Sequence, residues 1–221
     1  AMGICSGFMA ILSAPLNALT SVPGMFVLCG FAALLWCFGI HGNMVLVSVI
    51  LPMSIQAATA NAAAYAAGGY DALVFYPIAL YGSMAICGGT GNTLPLLIFG
   101  LKAKSKIALI PGWFGINEPV TFGMPIMYNP ILCIPYVLNI FVVMLCTLIG
   151  YKVGFLVPGF VPIVTLMPMG FKSFLSTLRW QNAIWDYLMI IPAGLVWYPF
   201  FKVYDNQLYK KEQEALAAEA E

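Results

Sequence analysis

Between Ala72 and Trp185 the chain carries one carboxylate, Glu118, and no charged side chain of either sign precedes Asp71. A water-facing surface needs charge spread along its whole length. This chain withholds it: 62% of its 221 residues are hydrophobic and 8% charged, where soluble domains carry about 25% charged residues. An ordinary water-soluble enzyme is excluded. The expected fold class is all-α, a polytopic membrane helical bundle of about five to seven hydrophobic elements. Nine Lys and Arg against eight Asp and Glu give no basic field for a phosphate backbone, so no nucleic acid is expected as a partner. Membrane lipid is.

Four stretches read as spans. Val22 to Ile40 enters through Pro23-Gly24 and closes at Gly39-Ile40-His41-Gly42, and we expect a helix that ends at the histidine. Met44 to Ala67 carries Gln56, Thr59 and Asn61 on an alanine-rich surface, which suits packing against other helices and predicts an interior position. Ile131 to Ile149 runs without a charge, as a spanning helix needs. Ala183 to Phe201 should be the last span, with Trp197-Tyr198-Pro199-Phe200-Phe201 as an interfacial aromatic belt. Residues 1–201 thus read as a membrane-embedded domain and 202–221 as a polar, solvated helical tail.

Between these spans lie segments that fail as crossings. Ala72 to Cys87 stops at Gly88-Gly89-Thr90-Gly91-Asn92-Thr93, and Leu94 to Leu101 is too short to span; Ile107 to Met127 is broken at Pro111-Gly112, Asn117-Glu118-Pro119, Gly123 and Pro125. Irregular backbone at membrane depth is tolerated only where it is buried in protein or lines a wet cavity. Short, Gly/Pro-interrupted apolar segments point to a transporter's site. We therefore expect two re-entrant hairpins near the substrate site, with tips near Gly88–Asn92 and Asn117–Pro119. Val153 to Met169, with three prolines, reads either as a kinked span or as a third broken element. Lys102, Lys104 and Lys106 vote cytoplasmic, whereas Lys152, Lys172 and Arg179 vote inconsistently.

An ionisable group in an apolar segment marks function by default. Glu118 is placed to accept a hydroxyl proton, and Asn117 and Pro119 to hold it. His41, the one histidine, has Gly39 and Gly42 for close backbone approach, Asn43 for hydrogen bonds and Trp36 nearby. Polar groups beside an indole suit a sugar, whose hydroxyls need paired hydrogen bonds and whose ring face stacks on an aromatic. The glycine cluster, with Gly89, Thr90 and Asn92, reads as a tight break or an anion nest; it lacks the spacing of a Walker loop. Trp180, between Arg179 and Gln181, is a further stacking candidate. The six cysteines show no metal-ligand spacing and read as small apolar packers. Neither a metal nor a cofactor is expected.

Leu35-Trp36-Cys37-Phe38-Gly39-Ile40-His41-Gly42, Gly88-Gly89-Thr90-Gly91-Asn92-Thr93-Leu94, Ile116-Asn117-Glu118-Pro119-Val120, Phe122-Gly123-Met124-Pro125-Ile126 and Asn129-Pro130, in this order and spacing, resemble the sugar permease component, enzyme IIC, of the bacterial phosphotransferase system, lactose/cellobiose/chitobiose family. The resemblance implies a multi-pass protein of the bacterial inner membrane with a cytoplasmic C-terminus. It implies a disaccharide carried inward while a phosphocysteine on a separate partner, phosphorylated enzyme IIB, phosphorylates it. Glu118 would lie beside the accepting hydroxyl and His41 would hydrogen-bond the sugar near it. The order Arg179-Trp180-Gln181 departs from the family pattern and weakens the stacking role of Trp180. Members are roughly twice this length, so the chain matches the C-terminal, sugar-binding half; an N-terminal half and a homodimer are the further partners implied. A proton-coupled secondary sugar transporter, with Glu118 and His41 as a proton relay, is the alternative from another class.

Overall fold

The computed structural model describes residues 18–100 and 109–219. The group Lys102, Lys104 and Lys106, and its vote on sidedness, lies outside them. The described residues are helical or irregular, without a strand. Helix α1 (Val22–Cys37) begins where Ser21 Oγ accepts the Gly24 amide at 3.2 Å, with Pro23 in the first turn. Both are standard starting devices, since the first helical amides lack intrahelical acceptors. The helix stops at Cys37, short of Ile40. The chain reverses through Gly39, whose φ of +80° favours glycine, and His41 becomes the N-cap of α2 (Gly42–Gly68), accepting the Met44 amide on Nδ1 at 3.3 Å. The histidine therefore opens the second helix rather than closing the first.

Helix α2 is not interior as expected. Its buried residues are Gly42, Ile50 and Asn61, while Gln56 and Thr59 are exposed. Thr59 Oγ1 donates to Ile55 O within its own helix at 2.8 Å, so its polarity demands no neighbour. Asn61 alone acts as expected: its amide spans Val74, donating to O at 3.1 Å and accepting from N at 3.0 Å.

The centre is α6 (Pro130–Lys152), which packs against α1, α9 and the 3-10 segment Pro77–Ala85. Its buried Leu132, Tyr136, Ile140, Val143, Met144 and Thr147 recur at three- and four-residue intervals, the stripe that puts one helix face inward. The broken segments lie where the sequence places its breaks. Residues 73–76 are extended, Pro77–Ala85 is 3-10, and the glycine turn leads to the short α3 (Leu94–Gly100). Beyond the undescribed stretch come α4 (Leu109–Trp113) and α5 (Glu118–Gly123). The region from 154 to 170 forms no helix before α7 (Phe171–Thr177), so it is a third broken element rather than a kinked span.

The last expected span is divided: α8 (Trp180–Leu188) and α9 (Ile190–Glu219) meet at Met189. Helix α9 runs without a stop into the exposed tail, so the boundary expected at 201/202 falls inside a helix. Among the described residues three helical stretches, Gly42–Ala72, Pro130–Lys152 and Trp180–Ala217, are long and apolar enough to cross a membrane. Trp197 is a correction to the aromatic belt. It is 0% exposed, and its Nε1 donates to Gly91 O at 3.2 Å and Asn92 O at 3.1 Å. An indole suits an interface because its N–H finds a partner there; here a loop supplies that partner. Trp197→Phe keeps the ring bulk but strips two buried carbonyls of their donor, and should destabilise by about 1–3 kcal/mol, read as a lower Tm in detergent. An unchanged Tm would show that these bonds contribute nothing.

Candidate functional site

His41 and Glu118 are 77 residues apart in sequence, yet Nε2 of His41 lies 3.4 Å from Oε1 of Glu118. Two backbone ties bring them together. The Tyr128 amide donates to Cys37 O at 3.0 Å and its hydroxyl to Phe38 O at 2.8 Å, fastening the chain after α5 to the turn that presents His41. Because Nδ1 accepts from the Met44 amide, neutral His41 carries its proton on Nε2 and donates to the carboxylate. The pair is open: the side chains are 33% and 42% exposed. Among the described residues no other hydrogen bond reaches Glu118, so Oε2 is free for a ligand.

The other expected site residues divide into neighbours of the pair and supports beneath it. Asn43, the second residue of α2, donates from Nδ2 to Thr90 Oγ1 at 2.7 Å, joining the His41 element to the glycine turn. Asn117 is buried and its Nδ2 fans out to Thr90 O at 3.3 Å, Thr121 Oγ1 at 3.2 Å and Tyr136 OH at 3.1 Å. Asn92 is 0% exposed, accepting the Cys87 amide on Oδ1 at 3.1 Å and donating to Ser83 O at 3.3 Å. These two asparagines hold loop backbone whose polar groups would otherwise be unpaired. Thr90 is buried, and a side chain on Gly89 would run into Gly115 O at 2.7 Å. The two expected breaks therefore meet, glycine turn against Asn-Glu-Pro, as one buried assembly under Glu118.

Trp36 is buried too. Its ring centroid lies 4.2 Å from that of His41 at an interplanar angle of 48°, so it braces the imidazole, and its Nε1 has no hydrogen-bond partner among the described residues. Trp180 is 60% exposed and lies outside the cluster. The sequence does not single out Tyr136 and places Trp197 in a belt, yet both are supports whose rings meet edge to face at 6.4 Å; a polar tip on an apolar stretch of helix is their signal. Cys29, Cys37 and Cys87 are buried, as packers would be.

A cavity of about 610 Å³ opens alongside. It reaches Asn43 and Gly115 at the edge of the His41–Glu118 cluster and extends to Asp186, Lys172 and Trp185. Its size falls in the range of small-molecule sites, about 300–1,000 Å³. The cavity is lined by neither His41 nor Glu118 and meets their cluster through Asn43; a polar pair beside a mostly apolar cavity can orient a polyhydroxylated ligand and take a proton from it.

The family described as Phosphotransferase system, EIIC, matches residues 2–139. The chain belongs to the EIIC family. It is 33% identical over 215 residues to the lichenan permease IIC component of Bacillus subtilis (strain 168), covering 92% of this chain and 47% of that protein. It is 31% identical over 224 residues to the lactose-specific EIICB component of Lacticaseibacillus casei, covering 92% and 37%. Among solved structures it resembles the transporter ChbC, the IIC component from the N,N'-diacetylchitobiose-specific phosphotransferase system, at a TM-score of 0.82 and 28% identity over 96% of this chain and 51% of that one. This EIIC chain thus spans about half the length, or less, of the relatives it matches. EIIC proteins are membrane-embedded, and its helices have the length and apolarity for that.

Proposed function

We propose that this chain is the sugar-binding half of a phosphotransferase permease of the lactose/cellobiose/chitobiose type, working with an N-terminal half, in a homodimer, and with a phosphorylated EIIB partner. The observation that carries the reading is the His41–Glu118 pair at 3.4 Å beside a cavity of disaccharide size. The two broken segments would re-enter the bilayer from its faces, meeting at the buried glycine turn and Asn117, with the C-terminal tail cytoplasmic. Some of the relatives are EIICB proteins, in which B and C components share one chain, and this supports an EIIB partner acting directly on the bound sugar.

The reaction needs little covalent help from the permease. A sugar hydroxyl oxygen attacks the phosphorus, the bond from phosphorus to the donor cysteine sulfur breaks, and the hydroxyl proton passes to the Glu118 carboxylate. Donation from His41 Nε2 to Oε1 fixes the carboxylate, leaving Oε2 for that hydroxyl. Catalysis then rests on positioning. Isothermal titration of the purified chain in detergent against cellobiose, lactose, chitobiose and maltose tests the reading: we expect one or more of the β-linked sugars to bind in preference to maltose. No binding across the panel, or accumulation of unmodified sugar driven by a pH gradient in cells, would overturn it.

A further inference from the structure

The cavity, which adjoins the His41–Glu118 cluster through Asn43, has a polar region of its own that neither His41 nor Glu118 lines. Asp186, in α8, lines it and is 8% exposed. Its Oδ2 accepts the Ser173 hydroxyl at 2.6 Å and the Gly170 amide at 3.2 Å. Its Oδ1 has no hydrogen bond among the described residues, and it is not one of the fully enclosed polar atoms. An almost buried carboxylate with one oxygen engaged and the other facing a cavity is costly to keep unless that oxygen acquires a donor. Lys172 lines the same cavity and acts electrostatically on Asp186 without closing an ion pair within 4 Å. Trp185 and Trp113 line the same cavity.

Acceptor, donor and aromatic surface in one cavity wall suit a sugar ring, whose hydroxyls both donate and accept and whose faces are apolar. We propose that Asp186 Oδ1 and Lys172 form a second subsite, binding hydroxyls of the disaccharide ring that is not phosphorylated while the other ring lies at the His41–Glu118 pair. This rests on the sugar-binding reading above. It assigns Ser173 as a positioning residue: its hydroxyl holds Oδ2 and so turns Oδ1 toward the cavity.

Asp186→Asn separates this role from a structural one. The asparagine carbonyl can still accept from Ser173 and Gly170, while an NH2 group replaces the free oxygen. Titration in detergent with cellobiose, lactose and chitobiose, and with methyl β-glucoside as a one-ring probe, should show disaccharide affinity falling about tenfold or more, as for a lost charged hydrogen bond. One-ring affinity should stay as in the parent. Ser173→Ala with the same probes should weaken disaccharide binding alone, in the same direction. Unchanged disaccharide affinity in a folded Asp186→Asn chain, judged by an unaltered Tm, overturns the subsite and leaves the sugar-binding reading standing. Equal losses for one ring and two overturn it as well. A parent chain that binds none of the sugars overturns both readings.

Discussion

Glu118→Gln is expected to cut sugar phosphorylation by about 10²–10⁴-fold, the contribution of a positioned general base, while sugar binding changes by less than about tenfold. Glutamine keeps a carbonyl oxygen where Oε1 accepts from His41 Nε2, so the pair's geometry survives and only the proton acceptor is lost. The assay is phosphorylation of labelled disaccharide in cells that supply the EIIB partner, with binding measured separately by titration. A variant that phosphorylates at the parent rate would remove Glu118 from the chemistry. Equal losses in binding and turnover would make it a contact for the ground-state sugar only.

Gly88→Ala should be strongly destabilising, because a left-handed backbone and a backbone clash coincide there. Gly88 holds φ +88°, and a Cβ there would stand 2.3 Å from the Leu94 nitrogen and 2.8 Å from its Cα. Both obstacles are backbone, fixed by the Leu94 amide donating to Cys87 O at 3.1 Å and by Thr93 Oγ1 donating to Gly88 O at 2.6 Å. Left-handed strain and the clash add, at about 3 kcal/mol or more. Thermal unfolding in detergent should show a large loss of Tm, or no monodisperse protein. Gly123→Ala is the matched control, since nothing lies within 4 Å of its added methyl and its φ is ordinary; equal shifts in the two variants would refute the local argument.

What was legible in the residues was whatever depends on local composition. A nearly charge-free body and glycine and proline breaks suffice to place helices and interruptions, and one isolated carboxylate with one histidine to single out Glu118 and His41. Orientation was not legible. Asn92, Asn117 and Trp36 have the chemistry of sugar contacts, but whether an amide or indole serves the ligand or the loop depends on which backbone groups the fold leaves unpaired. Trp197 shows the same ambiguity: the N–H suited to an interface serves Gly91 and Asn92 instead. Helix α2 misled because its polar residues suggest neighbours, while Gln56 is exposed and Thr59 is satisfied by its own helix. Asp186 stands in the sequence as a charge in an apolar span, and nothing local reveals that Ser173 and Gly170 occupy one of its oxygens.

The joining of Trp197 to the glycine turn gives α9 a mechanical meaning. From Trp197 to Glu219 the helix continues unbroken past Pro199, about 33 Å at 1.5 Å per residue. Its far stretch is exposed, while its near end grips the carbonyls of Gly91 and Asn92, the turn on which Asn117 rests through Thr90. A torque applied to the exposed stretch would thus travel along one lever, softened at the proline, and be delivered to the floor under Glu118.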